Sequence, residues 1–228
     1  MNLSTIAKTS LALGILTTGL ITTNAQSVSA DDSHHGVQMV NPENKSLYEY
    51  YKQAYYEFHN VKGQKVGNTV TVETTSQPLK VTLSEKDAKT FKDGPLDHLD
   101  VFAVRAFNDT FLPSNGGLIQ TKNEKLSEPI TPKTTLQKSK NNAVSKDDIY
   151  FEIGKKQVTL KEIDFKLRQQ LVEHDDLYSN GYRHGKIVIT MKNNLKHEIN
   201  LSYKLPIANM GTALDATQID HIEVEIDA

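Results

Sequence analysis

Apolar positions change period several times along this chain of 228 residues. Over residues 46–56, Leu47, Tyr50, Tyr51, Ala54 and Tyr55 recur at three- and four-residue spacing, which predicts a helix whose tyrosine-rich face packs on a sheet. From residue 58 to 137 the period falls to two. Val70 and Val72 alternate with Thr, then Leu79, Val81 and Leu83 alternate after Pro78. Residues 98–107 carry Val101, Ala103 and Val104 up to an Asn108-Asp109 turn signal, and Gly116-Gly117-Leu118-Ile119 opens another strand. Ser84 caps a short helix over 84–91. Short strands with turn chemistry between them predict a small barrel or sandwich.

Residues 138–146 hold little apolar content and stand between two patterned regions, the position expected of a domain boundary. A strand over 149–153 and a tight turn near Gly154-Lys155-Lys156 follow. Next comes the strongest helical pattern. Thr159-Leu160-Lys161-Glu162 is a capping box, with the Thr hydroxyl accepting the Glu162 amide while Glu162 reaches back. Leu160, Ile163, Leu167 and Leu171 form one buried stripe, and Asp164 with Arg168 makes an i,i+4 pair on an exposed flank. This helix ends near Leu177-Tyr178, before Asn180-Gly181. Residues 186–191 and 196–201 read as a hairpin turning at Asn193-Asn194, and 215–220 as one helical turn. On the last strand Ile222, Val224 and Ile226 face one way, and His221, Glu223 and Glu225 the other. The fold class is α+β, mostly β: a barrel, then an open sheet crossed by one long helix.

The first 30 residues carry their own pattern. Lys8, an apolar stretch from Leu11 to Ile21, and Val28-Ser29-Ala30 read as a secretory leader cleaved after Ala30, which predicts an extracellular protein. Residues 31–45, with His34-His35, read as a flexible arm, 46–140 as the first domain and 141–228 as the second. No later segment is long and apolar enough to insert in a membrane. The formal net charge is −2 with both signs spread through both halves, which excludes the basic field that nucleic acid requires. There is no cysteine, so disulfides, Cys-ligated zinc and thiol catalysis are excluded.

The long helix carries a resemblance. Lys155, Val158, Ile163-Asp164, Arg168, Leu171 and Leu177-Tyr178 match the C-terminal signature of the staphylococcal and streptococcal superantigen toxins. The wording from Thr159 to Tyr178 and on to Met210-Gly211 is most similar to the staphylococcal superantigen-like branch. Gly116-Gly117 through Asn123 resembles the family's other signature, with Ile119-Gln120 standing where one residue is expected. The resemblance implies an N-terminal OB-type β-barrel followed by a C-terminal β-grasp domain. It also implies binding of a host immune protein or leukocyte receptor, such as a chemoattractant receptor, an immunoglobulin or a complement component, without superantigen activity.

Candidate chemistry is sparse. No G-x-S-x-G, H-E-x-x-H or P-loop is present, so neither an enzyme nor a cofactor is expected. A secreted hydrolase is the competing class, recognised by a convergent nucleophile, base and oxyanion donors. A true T-cell superantigen binding MHC class II is another. His174-Asp175-Asp176, with His184 nearby in sequence, reads as a solvated helix end. His221 and Glu223 share one side of the last strand and form a candidate zinc pair. Related toxins complete such a pair from the hairpin; here Thr190 stands at that place and His197 lies out of position. Lys192, Asn194, Lys196 and His197 are the candidate ligand contacts. Sialylated glycans are not expected. The hairpin from Lys192 to Glu198 lacks an aromatic residue, and Asn209 stands where the resemblance calls for an Arg to pair a sialate carboxylate.

Overall fold

The computed structural model describes residues 42–75, 77–105, 111–122 and 125–228, with the backbone of Ile21–Thr22 (β1). The expected cleavage site, most of the N-terminal arm and the Asn108-Asp109 turn lie outside the described residues. The barrel half contains α1 (Pro42–Tyr51), β2 (Tyr55–Val66), β3 (Thr69–Val72), β4 (Leu79–Thr82), α2 (Glu85–Ala88), β5 (Gly94–Val104), β6 (Leu112–Asn115) and β7 (Leu118–Gln120). The strands run in the order β6-β4-β3-β2-β5-β7, with β1 against β2. Their inward side chains, among them Val70, Val72, Leu79, Val81, Leu99, Val101 and Leu118, make one core.

The second half adds β8 (Lys125–Ile130), β9 (Lys133–Lys140), β10 (Ala143–Asp148), β11 (Ile153–Lys155), β12 (Gln157–Thr159), α3 (Leu160–His174), β13 (His184–Met191), β14 (Lys196–Asn200), α4 (Ile207–Met210), β15 (Ala213–Asp215) and β16 (Ile219–Asp227). A five-stranded sheet in the order β10-β9-β16-β13-β14 carries α3 on its apolar face. An OB-type barrel is thus followed by a β-grasp domain.

Several expectations need correction: the strand expected over 149–153 begins only at Ile153, and α3 ends at His174, before Leu177-Tyr178. Residues 138–146 are not a connector: they form the β9–β10 hairpin, and β9 lies parallel to β16 in the interior of the sheet. Their polarity has a local cause. Strand β10 is an edge whose six residues are all exposed, where charge discourages further pairing. In addition, Tyr55 and Tyr56 belong to β2, opposite Val104 and Ala103, where aromatic side chains favour a strand and the Tyr55 ring packs 5.0 Å from that of Phe102 on the neighbouring strand. The α1 face packs on α3 instead of a sheet, with Tyr51 and Tyr50 ring centroids 5.4 and 5.6 Å from that of Phe165.

Finally, the Asp164–Arg168 pair is buried. Arg168 donates from Nε to Asp164 at 2.6 Å, from Nη1 to the Tyr178 hydroxyl at 2.6 Å, and to the carbonyls of Asn200, Leu201 and Tyr203. Its guanidinium stacks 4.7 Å from the Tyr51 ring centroid, and the Tyr51 hydroxyl donates to Asp164 at 2.9 Å. One cation therefore fastens α3, α1, the Tyr178 turn and the segment after β14.

Thr159 does cap α3 by accepting the Glu162 amide at 3.3 Å. The Glu162 carboxylate turns elsewhere, to Lys155 at 2.6 Å and Lys166 at 2.8 Å. Lys166 also pairs with Glu57 of β2, so a run of alternating charges links the domains. Glycines close the same joint. Gly116 and Gly117 have φ of +53° and +71°. A Cβ on Gly116 would fall 2.3 Å from Met210 Cβ, and one on Gly117 2.6 Å from Lys161 Cδ. The two glycine-bearing segments, Gly116-Gly117 and Met210-Gly211, thus meet across the boundary, where only a missing side chain permits the approach.

Candidate functional site

Helix α3 covers one face of the five-stranded sheet, and the opposite face carries the candidate contacts. Cross-strand register sorts its side chains into rows. Lys196, Thr190, His221 and Lys133 form one row; Glu198, Val188, Glu223 and Thr135 the next; Asn200, Lys186, Glu225 and Gln137 a third. Only Thr190 is buried among these twelve, and Lys186 pairs with Glu225 at 3.1 Å. The result is a flat, mixed-charge surface.

The β13–β14 turn is held from within. Asn194 adopts φ of +66° and its amide donates to the Met191 carbonyl at 2.8 Å. The Lys192 ammonium donates to the Thr217 carbonyl at 2.8 Å, tying the turn to the 3-10 helix Ala216–Gln218. Lys192 is thereby committed to backbone, while Lys196 stands exposed on the mixed-charge face. His197 departs from the expected group. It lies opposite Ile189, on the core side of the sheet, where burial pushes its imidazole pKa down.

This placement also bears on the candidate metal pair. His221 and Glu223 do share a face, with His221 Nε2 3.6 Å from Glu223 Oε2. His221 Nδ1 meets Asp220 at 2.7 Å, so both ring nitrogens face carboxylates. Thr190 is the cross-strand neighbour of His221, and His197 cannot reach it from the other side of the sheet. Among the described residues no group of three or more His, Asp or Glu side chains is arranged to hold a metal ion. The His174-Asp175-Asp176 cluster disperses as well: Asp175 pairs with Lys138 at 2.6 Å, Asp176 accepts from Asn180, and His184 meets Ser202.

One feature escaped the sequence reading. Lys161, in the first turn of α3, is buried at the domain joint beside a cavity of about 210 Å3. A cation in a helix's first turn opposes the helix dipole, and that mismatch was the available signal.

Two family descriptions match the chain in series. Residues 45–122 match the staphylococcal superantigen-like OB-fold domain, and residues 132–226 the staphylococcal/streptococcal toxin β-grasp domain. Staphylococcal superantigen-like 7 from Staphylococcus aureus strain Newman is 37% identical, over 99% of each chain. The chain belongs to the staphylococcal superantigen-like family. Superantigen-like 1 of the same strain is 35% identical over 99% of this chain and 100% of its own. A crystal structure of a superantigen-like protein from S. aureus subsp. aureus NCTC 8325 superposes with a TM-score of 0.75 at 34% identity, covering 81% of this chain and 98% of that one. Another superantigen-like protein, solved in complex with sialyl-Lewis X, gives a TM-score of 0.72 at 29% identity over 81% of this chain and 99% of its own. That relative's complex leaves the expected exclusion of sialylated glycans, drawn from the 192–198 hairpin and Asn209, without support. No helix among the described residues is long and apolar enough to cross a membrane.

Proposed function

We propose that this chain is an exported immune-evasion protein, cleaved after Ala30, that binds a host immune protein or leukocyte receptor and does not act as a superantigen or an enzyme. The observation that carries the reading is the mixed-charge face of the five-stranded sheet turned away from α3, where Lys196 and Glu198 of β14 and His221 and Glu223 of β16 flank Thr190 and Val188 of β13. Such a face offers charge complementarity, which sets specificity and association rate in protein–protein recognition.

The test is capture from human plasma and leukocyte membranes on the immobilised protein, followed by mass spectrometry. The expected result is a saturable protein ligand lost with Lys196→Glu and Glu223→Lys. Capture unaffected by both changes contradicts this use of the face. A second reading, a sialylated glycan, is favoured by the sialyl-Lewis X complex of the relative. Neutrophil binding before and after sialidase separates the two: a protein ligand survives the treatment. Receptor-selective T-cell proliferation would instead support the superantigen alternative.

A further inference from the structure

Lys161 leaves the first turn of α3 and enters the joint with the barrel. Its Nζ donates to the Phe102 carbonyl at 3.1 Å and to the Ser114 hydroxyl at 2.8 Å. The residue is 3% exposed, and among the described residues no carboxylate comes within ion-pair distance of it. Burial without a counter-charge pulls its ammonium down to about 7. An apolar side chain of similar length would fill the same space without that desolvation cost, so stability alone does not account for a cation here.

Lys161 lines the 210 Å3 cavity together with Tyr50, Gln53, Ser114 and Asn115, and among the described residues no Asp or Glu contributes to the wall. Ser114 accepts from Lys161, which leaves its own hydroxyl proton for another acceptor. Burial pushes the Tyr50 hydroxyl up to about 12, so it too remains a proton donor. The space is smaller than the roughly 300–1,000 Å3 of small-molecule pockets. It is several times the roughly 30 Å3 of one water. It therefore suits one functional group, and a single monocation matches a single monoanion.

We propose that this cleft between the barrel and α3 is a receptor site for one carboxylate group, paired with Lys161 and flanked by Ser114, Gln53 and Asn115. The proposal is independent of the sheet face invoked above. The carboxylate belongs either to a free small acid or to an acidic side chain of a partner protein.

Among the described residues, few titratable groups complicate a test. Helix α1 contributes Tyr50; β5 and β6 contribute Phe102, Val104, Pro113, Ser114 and Asn115, none of which titrates. On α3, Glu162 is taken by Lys155 and Lys166, and Lys166 also by Glu57. The experiment is a titration of the full 15N-lysine-labelled chain with acetate, against chloride at equal ionic strength, reading lysine side-chain resonances by NMR. The Lys161 resonance, assigned with Lys161→Met, is expected to shift saturably at about pH 6. The apparent Kd is expected to rise about tenfold per pH unit above about pH 8, as the ammonium is lost. Ser114→Ala is expected to weaken binding about 3- to 10-fold, and it serves as the site probe if Lys161→Met does not fold. A capped acidic peptide that binds more tightly than acetate assigns the carboxylate to a protein side chain; equal binding assigns it to a free acid. Shifts confined to other lysines, or affinity unchanged at high pH, overturn the proposal.

Discussion

Replacing Arg168 with Met tests the most consequential difference between the sequence reading and the fold. On an exposed flank, the Asp164–Arg168 pair would stabilise α3 by about 0.2–0.5 kcal/mol. Both partners are buried, however, with side chains 3% and 0% exposed. Met occupies most of the arginine's length, so the cavity contribution stays small. What remains is a buried Asp164 with the Tyr51 hydroxyl as partner, and backbone carbonyls at Asn200 and Tyr203 that lose the guanidinium, while Leu201 keeps the Tyr178 hydroxyl as donor. Breaking a buried pair from one side costs about 3–5 kcal/mol. For a chain of this size that corresponds to a drop in Tm of roughly 6–20 °C. The loss should depend on pH. Burial already raises the Asp164 pKa against the opposing effects of Arg168 and Tyr51, and removing Arg168 raises it further. A carboxyl raised in the folded state is tolerated as the neutral acid, so the penalty is full above its folded pKa and eases as pH falls toward the unfolded value near 3.9. Urea unfolding at about pH 7 and pH 4 should show the wild-type advantage shrinking at the lower value. Arg168→Met with Asp164→Leu should recover most of the loss. An advantage below about 1 kcal/mol at neutral pH, or a double variant no better than the single one, would refute the reasoning.

Two further perturbations probe the joint between the domains. At Glu162 burial opposes ionisation, but Lys166 and Lys155 prevail and hold the carboxyl down to about 2. A depressed carboxyl contributes stability above its unfolded pKa and loses it as pH falls through the folded one. Glu162→Gln should therefore be destabilised at neutral pH and converge on wild type between about pH 5 and 2; a gap independent of pH would count against the ion pairs. Gly117→Ala places a Cβ 2.6 Å from Lys161 Cδ and 2.7 Å from the Phe102 carbonyl, at φ of +71°. A loss of at least about 1–3 kcal/mol is expected in thermal unfolding, against near-neutral behaviour for Gly154→Ala, where no atom lies within 4 Å of the added carbon.

Periodicity made much of the β-grasp half legible because its signals are local. The Thr159 cap, the α3 stripe, the β13–β14 hairpin and the alternation of β16 each depend on neighbours within a few residues, and each is present. What failed depends on distant partners. Strand β9 escaped notice because its place beside β16 comes from a parallel pairing across more than half the domain, while β10 is polar along its length as an edge. Arg168 read as a surface residue because spacing identifies Asp164 as a partner but cannot reveal Tyr178, Tyr51 and three carbonyls closing over both.

The two candidate surfaces divide along the same line. The mixed-charge sheet face was legible, because an exposed strand face is written as every second residue, and His221, Glu223 and Glu225 stand out between Ile222, Val224 and Ile226. The position of His197 was not, since one residue of register moves a side chain to the other face of the sheet, and only its pairing with Ile189 fixes which. Lys161 was harder still. In sequence it is one more lysine on an amphipathic helix, and its burial depends on two glycines more than forty positions earlier, at 116 and 117. Those glycines carry family signature wording, yet in the fold they shape the space that receives Met210 and Lys161. A signature that secures the joint between two domains can therefore also place a cation in a cleft, and substitutions at Gly117 and Ser114 separate these roles: the first should cost stability, the second carboxylate binding.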